Sequence, residues 1–183
     1  MRLLICLALL CCPVSAPAQS YLADFQDALN RCQKFLETTA GFSSEGLERV
    51  EKAENETPIS VRERQVWRFP SSPIQVVHST YTGSNGQLRS TCEVSWREGA
   101  TPLTSDKQDA LLRSFTRRME RQIAEGTHER RDPVKMPPLV TLGYGPMKQG
   151  IHGCRVIFAL ALNPHSDFFV VNAGEQISYP CYK

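Results

Sequence analysis

Cysteines and histidines are the residues of this sequence best suited to chemistry, and their spacing narrows what that chemistry is. Of seven cysteines, the last four are Cys32, Cys92, Cys154 and Cys181. No two of these four lie at the CxxC spacing of a zinc site, so metal binding is the weaker interpretation. The first three cysteines lie in an N-terminal segment that has the pattern of a cleaved signal peptide, as described below. Four cysteines in an exported domain favour a pair of disulfides.

The histidines give no clear site. They are His78, His128, His152 and His165, and none is paired at the spacing of a helical metal site. His152 precedes Cys154 by two residues, which suggests a thiol nucleophile beside its base. Because Gly153 is expected to open the strand and the thiol is expected in a disulfide, we favour the disulfide. The sequence also lacks a GxSxG elbow and a glycine-rich phosphate loop. We therefore predict no catalytic residue, no metal and no cofactor.

Arginines define two candidate binding surfaces. The first is one face of a predicted sheet and comprises Arg62, Arg64, Arg68, Arg89 and Arg97. The second is a stripe on a predicted helix, with Arg113, Arg117 and Arg121 extended by Arg130 and Arg131. Guanidinium groups suit carboxylates and phosphates. The competing interpretation is that both sets are ordinary solvated arginines.

The N-terminus has the pattern of a secretory signal peptide. An apolar run over 3–12 follows Arg2, and Ala16-Pro17-Ala18 fits a cleavage site before Gln19. The run is too short to span a bilayer. Cleavage leaves 165 of the 183 residues and lowers the formal charge from +2 to +1. We predict an exported chain, periplasmic or extracellular, with one domain over 19–183, no transmembrane segment and no nucleic-acid partner.

Two amphipathic helices are predicted. The first covers about 21–39, where Leu22, Phe25, Leu29, Cys32 and Leu36 form one apolar stripe. The second begins near Thr104 or Ser105 and ends at Gly126, with an apolar face that carries Leu111, Phe115 and Met119. A further short helix around Leu47 and Val50 is expected.

Strands fill the rest of the chain. We predict three strands over 61–69, 74–81 and 88–97, a buried hairpin through 154–162 and 168–171, and a short edge strand at 176–179. Whether 139–142 forms a further short strand is left open. Trp67 and Phe69 are expected to point into the core, which turns Arg64 and Arg68 outward. The predicted fold is α+β, an antiparallel sheet of about six strands in the order α-βββ-α-βββ with both helices on one face.

Cysteine pairing follows from these positions. Cys32 lies on the apolar stripe of the first helix and Cys92 on the buried face of the third strand, so we predict a Cys32–Cys92 disulfide. Cys154 opens the central hairpin, and the returning chain could bring Cys181 beside it. We therefore predict Cys154–Cys181 as the second link.

The sequence contains one internal echo. Residues 26–31 (QDALNR) and 108–113 (QDALLR) agree at five of six positions, and each lies in a helix that precedes a set of strands. Duplication would explain the echo, but we favour chance, because these are common helix formers and the cysteines do not repeat at that offset.

Two functions remain open. The favoured one is a soluble binding or accessory module of the cell envelope, such as an inhibitor of an envelope enzyme, whose partner is a protein or an anionic envelope component. The alternative is a small secreted hydrolase with its site in the loop 139–153. A concave site with convergent polar groups beside His152 or Tyr144 would favour the enzyme, and a smooth sheet would favour the module.

Overall fold

The computed structural model describes residues 20–50, 61–83, 86–97, 99–133 and 135–176. The predicted signal peptide, Cys181 and all of the predicted strand 176–179 except Gln176 lie outside these described residues. Within the described part of the chain, no helix is both long and apolar enough to cross a membrane.

The described residues form two helices and eight strands in the order α-ββββ-α-ββββ. The helices are α1 (Ser20–Glu37) and α2 (Ser105–Ala124). The strands are β1 (Glu48–Val50), β2 (Val61–Arg68), β3 (Ile74–Thr82), β4 (Leu88–Trp96), β5 (His128–Arg130), β6 (Val140–Pro146), β7 (Val156–Leu162) and β8 (Phe169–Glu175). The predicted α+β class is confirmed, whereas the predicted number of six strands is wrong, because the described residues form eight.

All eight strands form one antiparallel sheet in the order β1-β2-β3-β4-β8-β7-β6-β5. Register partners share a face of an antiparallel sheet, so Val76, Val94, Val171 and Leu160 form one row. All four are fully buried in the core, together with apolar residues of both helices. The helices therefore cover one face, called here the helix face, and the opposite side is the open face.

The two strands that were not predicted are three-residue edge strands. Val50 of β1 pairs with Val66, in the region where the sequence favours a short helix. That prediction is wrong, because pairing with β2 decides the backbone where three residues carry too short a pattern. β5 lies in the charged stretch that follows α2, where the sequence predicts no strand, and His128 there is 3% exposed.

Two glycines explain why β6 is longer than expected. Gly143 and Gly145 suggest a loop, yet β6 continues through both to Pro146. A Cβ atom built on Gly143 would lie 2.4 Å from the main-chain oxygen of Arg131. Gly143 therefore lets the main chain of Arg131 lie close against β6, and Gly145 leaves room for the Arg131 guanidinium. Close approach of this kind is a known use of glycine within strands.

The sheet consists of two halves of four strands, and each half follows its own helix in the chain. In both halves the first strand lies at an edge of the sheet and the fourth lies at the centre. Within each half the four strands form a meander, and β4 and β8 meet at the centre. Residues 26–31 lie in α1 and residues 108–113 lie in α2, and Leu29 and Leu111 are both fully buried. This equivalence favours duplication over the chance agreement that the sequence alone suggested.

The Cys32–Cys92 disulfide is confirmed and links α1 to β4, with the two Cα atoms 5.4 Å apart. This disulfide holds α1 against the helix face of the sheet. Cys154 is fully buried and is held in a disulfide. Its predicted partner Cys181 lies outside the described residues, so the Cys154–Cys181 pairing stays a prediction.

Candidate functional site on the open sheet face

Two of the five predicted arginines lie on the open face within β2. Arg64 pairs in register with Ser79, and Arg68 pairs with Gln75, in rows that alternate with the buried row of Val76. Both side chains are half-buried. The Nε atom of Arg68 donates to Glu48 at 3.0 Å, so its charge is already balanced by a neighbour in β1. Their role in binding stays a prediction.

Arg62 and Arg89 do not extend this set. Arg62 lies at a β-bulge that interrupts the alternation, and its Nε donates to the Thr82 hydroxyl at 3.0 Å. Arg89 is on the expected face but is 1% exposed, and its Nη1 donates to the main-chain oxygen of Gln176 at 2.6 Å. The prediction that Arg89 is exposed is wrong, since alternation determines the face of a side chain and not what covers it.

Arg97 lines a groove of about 560 Å³ at the end of β4 and the beginning of β8. Glu93 and Asn172 are register partners on the open face, and they form part of its floor. The remaining wall is the loop 99–103 and the hairpin end at Asp167 and Phe168. The groove thus combines two rigid strands with two loops.

The groove carries both signs of charge and an exposed aromatic ring. Arg97 faces the same space as Glu93 and Asp167, and Phe168 is 45% exposed. The loop wall is fixed from behind, because the Trp96 indole nitrogen donates to the Thr101 oxygen at 2.8 Å. Such a site can hold an apolar side chain flanked by groups of both charges.

A second concavity lies beside His152, on the loop between β6 and β7. It has a volume of about 640 Å³ and is lined by 86–88 and 150–153. His152 Nδ1 lies 2.7 Å from Oε2 of Glu175, whose side chain is fully buried. The Ser90 amide also donates to that oxygen, at 2.8 Å. The carboxylate holds the imidazole in place and favours a proton on Nδ1, which leaves Nε2 as the potential base.

No described residue in the lining of this concavity carries a hydroxyl or thiol nucleophile. Activation of water by His152 is the chemistry that the described lining could support. A concavity lies beside His152 and the sheet also has its own groove, so the presence of a concavity does not separate the enzyme from the binding module. Tyr144, the other residue named for that test, is fully buried.

The remaining histidines do not assemble a metal site. His78 is 5% exposed and stacks on Phe42, with ring centroids 4.5 Å apart. Burial lowers the pKa of His78, so it is neutral in the core. His165 is exposed in the hairpin between β7 and β8. In the described part of the chain, no group of three or more His, Cys, Asp or Glu residues is arranged to bind a metal.

Sequence reasoning missed Phe168 and Glu175. Phe168 was assigned to the returning strand, but β8 begins one residue later and leaves its ring at the exposed hairpin end. The polar turn at 163–166 was the signal that Phe168 lies near the end of a hairpin. Glu175 lies 23 residues from His152, and no local pattern joins the two.

Comparison of the chain with protein-family models, with curated proteins and with solved structures gives no significant match.

Proposed function

We propose that this protein is an exported binding module that holds a segment of a partner protein in the groove on its open sheet face. The observation that carries the proposal is the groove itself, in which exposed Phe168 lies beside Arg97, Glu93 and Asp167. Aromatic residues and arginine are the types most enriched where protein interfaces bind tightly. Because strands β4 and β8 form its floor, the site needs little ordering on binding.

Export is supported by two features. The first is the signal-like N-terminal pattern, with its apolar run and small residues before Gln19. The second is the Cys32–Cys92 disulfide, which suits an oxidising compartment. The proposed Cys154–Cys181 link would add a second disulfide within the other half of the chain.

The charges of the groove favour a protein over an anionic polymer as the partner. Glu93 and Asp167 outnumber Arg97 among the described residues of the lining. Carboxylates would repel a polymer of phosphates or uronic acids, which weakens the anionic envelope component as a partner. A polypeptide can match both signs and place an apolar side chain against Phe168. Inhibition of an envelope enzyme is one activity that such a module would have.

Site-specific photo-crosslinking tests the location of the site. A photoreactive residue is placed at Asn172, which is exposed in the groove, and in a matched variant at Glu120, which is exposed on α2. The mature chain is then incubated with an envelope extract. We expect a discrete crosslinked protein from position 172 and none from position 120. Equal labelling from both positions would count against the groove.

The His152–Glu175 pair favours one other function, a small hydrolase. Its Nε2 could deprotonate a water molecule in the adjoining concavity, with the buried carboxylate stabilising the imidazolium that forms. The test is turnover of chromogenic esters by the mature chain, by a His152→Gln variant and by a His165→Gln control. Loss of turnover in the first variant alone supports the enzyme. No turnover, or turnover that His152→Gln leaves unchanged, excludes this role for that class of substrate.

A further inference from the structure

The two helices meet along a polar seam that the proposed function does not use. Gln26, Asn30 and Gln33 occupy the side of α1 that faces α2. From α2, the guanidinium of Arg118 enters this seam and is 4% exposed. An arginine is rarely buried in this way unless its charge is compensated.

The partners of Arg118 are neutral. Its Nη1 donates to the Asn30 side-chain oxygen at 2.6 Å, its Nη2 donates to the Gln33 side chain, and its Nε donates to the Tyr144 hydroxyl at 3.1 Å. These bonds fix the plane of the guanidinium but contribute no negative charge. Burial raises the pKa of the Tyr144 hydroxyl, so this partner is uncharged as well.

A cavity of about 370 Å³ opens from this seam to the surface. It is lined by Gln26, Asn30, Ser114, Arg117, Arg118 and Arg121. The lining therefore contains three arginines and, among the described residues, no acid. Arg117 and Arg121 are exposed one helical turn apart, where like charges repel each other.

The acids nearby are engaged elsewhere or do not pair with these arginines. Asp27 binds Arg31 at 2.9 Å, and Glu37 lies 3.4 Å from His128 at the far end of the seam. Across the described ranges, no carboxylate forms an ion pair with Arg117, Arg118 or Arg121. Among the described residues, these three adjacent positive charges are thus left without an ion-pair partner.

The match between residues 26–31 and 108–113 indicates that the helix itself does not require this arginine. With residues 26–31 aligned to 108–113, Arg118 corresponds to Leu36, which is fully buried in the core. Arg117 corresponds to Phe35, which is 8% exposed. The first half therefore uses apolar residues for packing at the positions where the second half concentrates positive charge.

We propose that the cavity between α1 and α2 binds a phosphoryl group. A doubly charged oxyanion matches three cations better than a single carboxylate does. Arg117 and Arg121 would close on the ligand from the surface with direct hydrogen bonds. Arg118 would act mainly as a fixed charge beneath it, since most of its donors are already used. The site is separate from the groove on the open face.

The test is calorimetric titration of the mature chain with inorganic phosphate at constant low ionic strength. A double variant, Arg117→Ser with Arg121→Ser, removes the two exposed ligands. Arg113→Ser is the control, because Arg113 is an exposed arginine of the same helix that does not line the cavity. We expect saturable binding to the parent and to the control, weakened by about tenfold or more in the double variant.

A second arm distinguishes the source of the phosphoryl group. Vesicles of phosphatidic acid, a phosphomonoester that can carry two negative charges, in phosphatidylcholine are sedimented with the same three proteins. Co-sedimentation lost only in the double variant assigns the site to a lipid headgroup, and binding of free phosphate alone assigns it to a small phosphate compound. Absence of saturable binding to the parent in both arms, or an equal loss in Arg113→Ser, would overturn the proposal. The double variant should unfold at the parent's temperature without phosphate, since both side chains are exposed.

Discussion

Arg64 and Arg89 lie on the same face of the sheet, yet only Arg64 keeps substantial contact with solvent. Arg89 is buried and donates to the Gln176 main-chain oxygen, so its loss leaves an acceptor without its donor and an empty volume. We expect Arg89→Ser to lower the free energy of unfolding by ~2 kcal/mol or more, and Arg64→Ser to change it by no more than ~0.5 kcal/mol. Urea denaturation of the two variants measures the difference, and equal effects would contradict the burial of Arg89.

His78 gives the fold a specific pH dependence. Burial holds the pKa of His78 below its ordinary value of 6.5, so the unfolded chain binds a proton at a pH where the folded chain does not. The free energy of unfolding should therefore fall as pH drops below about 6.5. In His78→Phe, which keeps a ring against Phe42, that part of the fall should disappear. Urea denaturation at neutral and mildly acidic pH compares the two slopes, and identical slopes would show that His78 does not contribute.

At the residue scale, the alternation of apolar and polar residues predicted on which face of the sheet a side chain lies. It did not predict whether other parts of the chain bury that side chain. Trp67 and Val94 are correctly assigned to the helix face, and Arg64 and Arg68 to the open face. Arg89 and Arg131 are buried by contacts with distant parts of the chain, 87 and 25 residues away. Arg131 had been placed on a surface stripe, but its guanidinium donates to the main-chain oxygens of Val156 and Pro146. Such contacts leave no local pattern in the sequence.

Helices and long strands were predictable, and short strands were not. The apolar stripes of α1 and α2 follow the helical repeat, and β2 to β4 are bounded by turn residues. Strands β1 and β5 have three residues each. Their extended conformation is determined by pairing at the edges of the sheet and not by their own composition. Gly143 and Gly145 suggested a loop instead of a strand. The sequence does not distinguish a glycine that belongs to a loop from one that permits close packing within a strand.

The Cys32–Cys92 disulfide acts at the scale of elements, since it joins α1 to β4. Removing Cys32–Cys92 by changing both cysteines to alanine should lower the free energy of unfolding by ~2–4 kcal/mol, because α1 is no longer tethered to β4 in the unfolded chain. Thermal unfolding of the oxidised parent and the double variant measures this loss.

Peptide mapping without reductant is the companion measurement. It should recover Cys154 linked to Cys181 alongside the Cys32–Cys92 pair. A peptide in which Cys154 is linked to either of the other two cysteines would contradict the arrangement.

For the whole molecule, the two α-ββββ halves meet at β4 and β8, and the groove lies where these strands join. The sequence contained one trace of this symmetry, the match between residues 26–31 and 108–113. The strand order that makes the match meaningful depends on pairings between distant strands. The groove could not be predicted for the same reason, because Arg97 and Phe168 are brought together only by the central pairing of the two halves.

The most direct test of the proposed function is the affinity of the mature chain for the partner captured at Asn172. Arg97→Ser combined with Phe168→Ser changes the groove, while Arg113→Ser combined with Met147→Ser removes an exposed arginine and an exposed apolar side chain elsewhere. Titration of all three proteins should show that the groove variant binds at least about tenfold more weakly than the parent, with the control unchanged. Equal affinity of the groove variant and the parent would contradict the account.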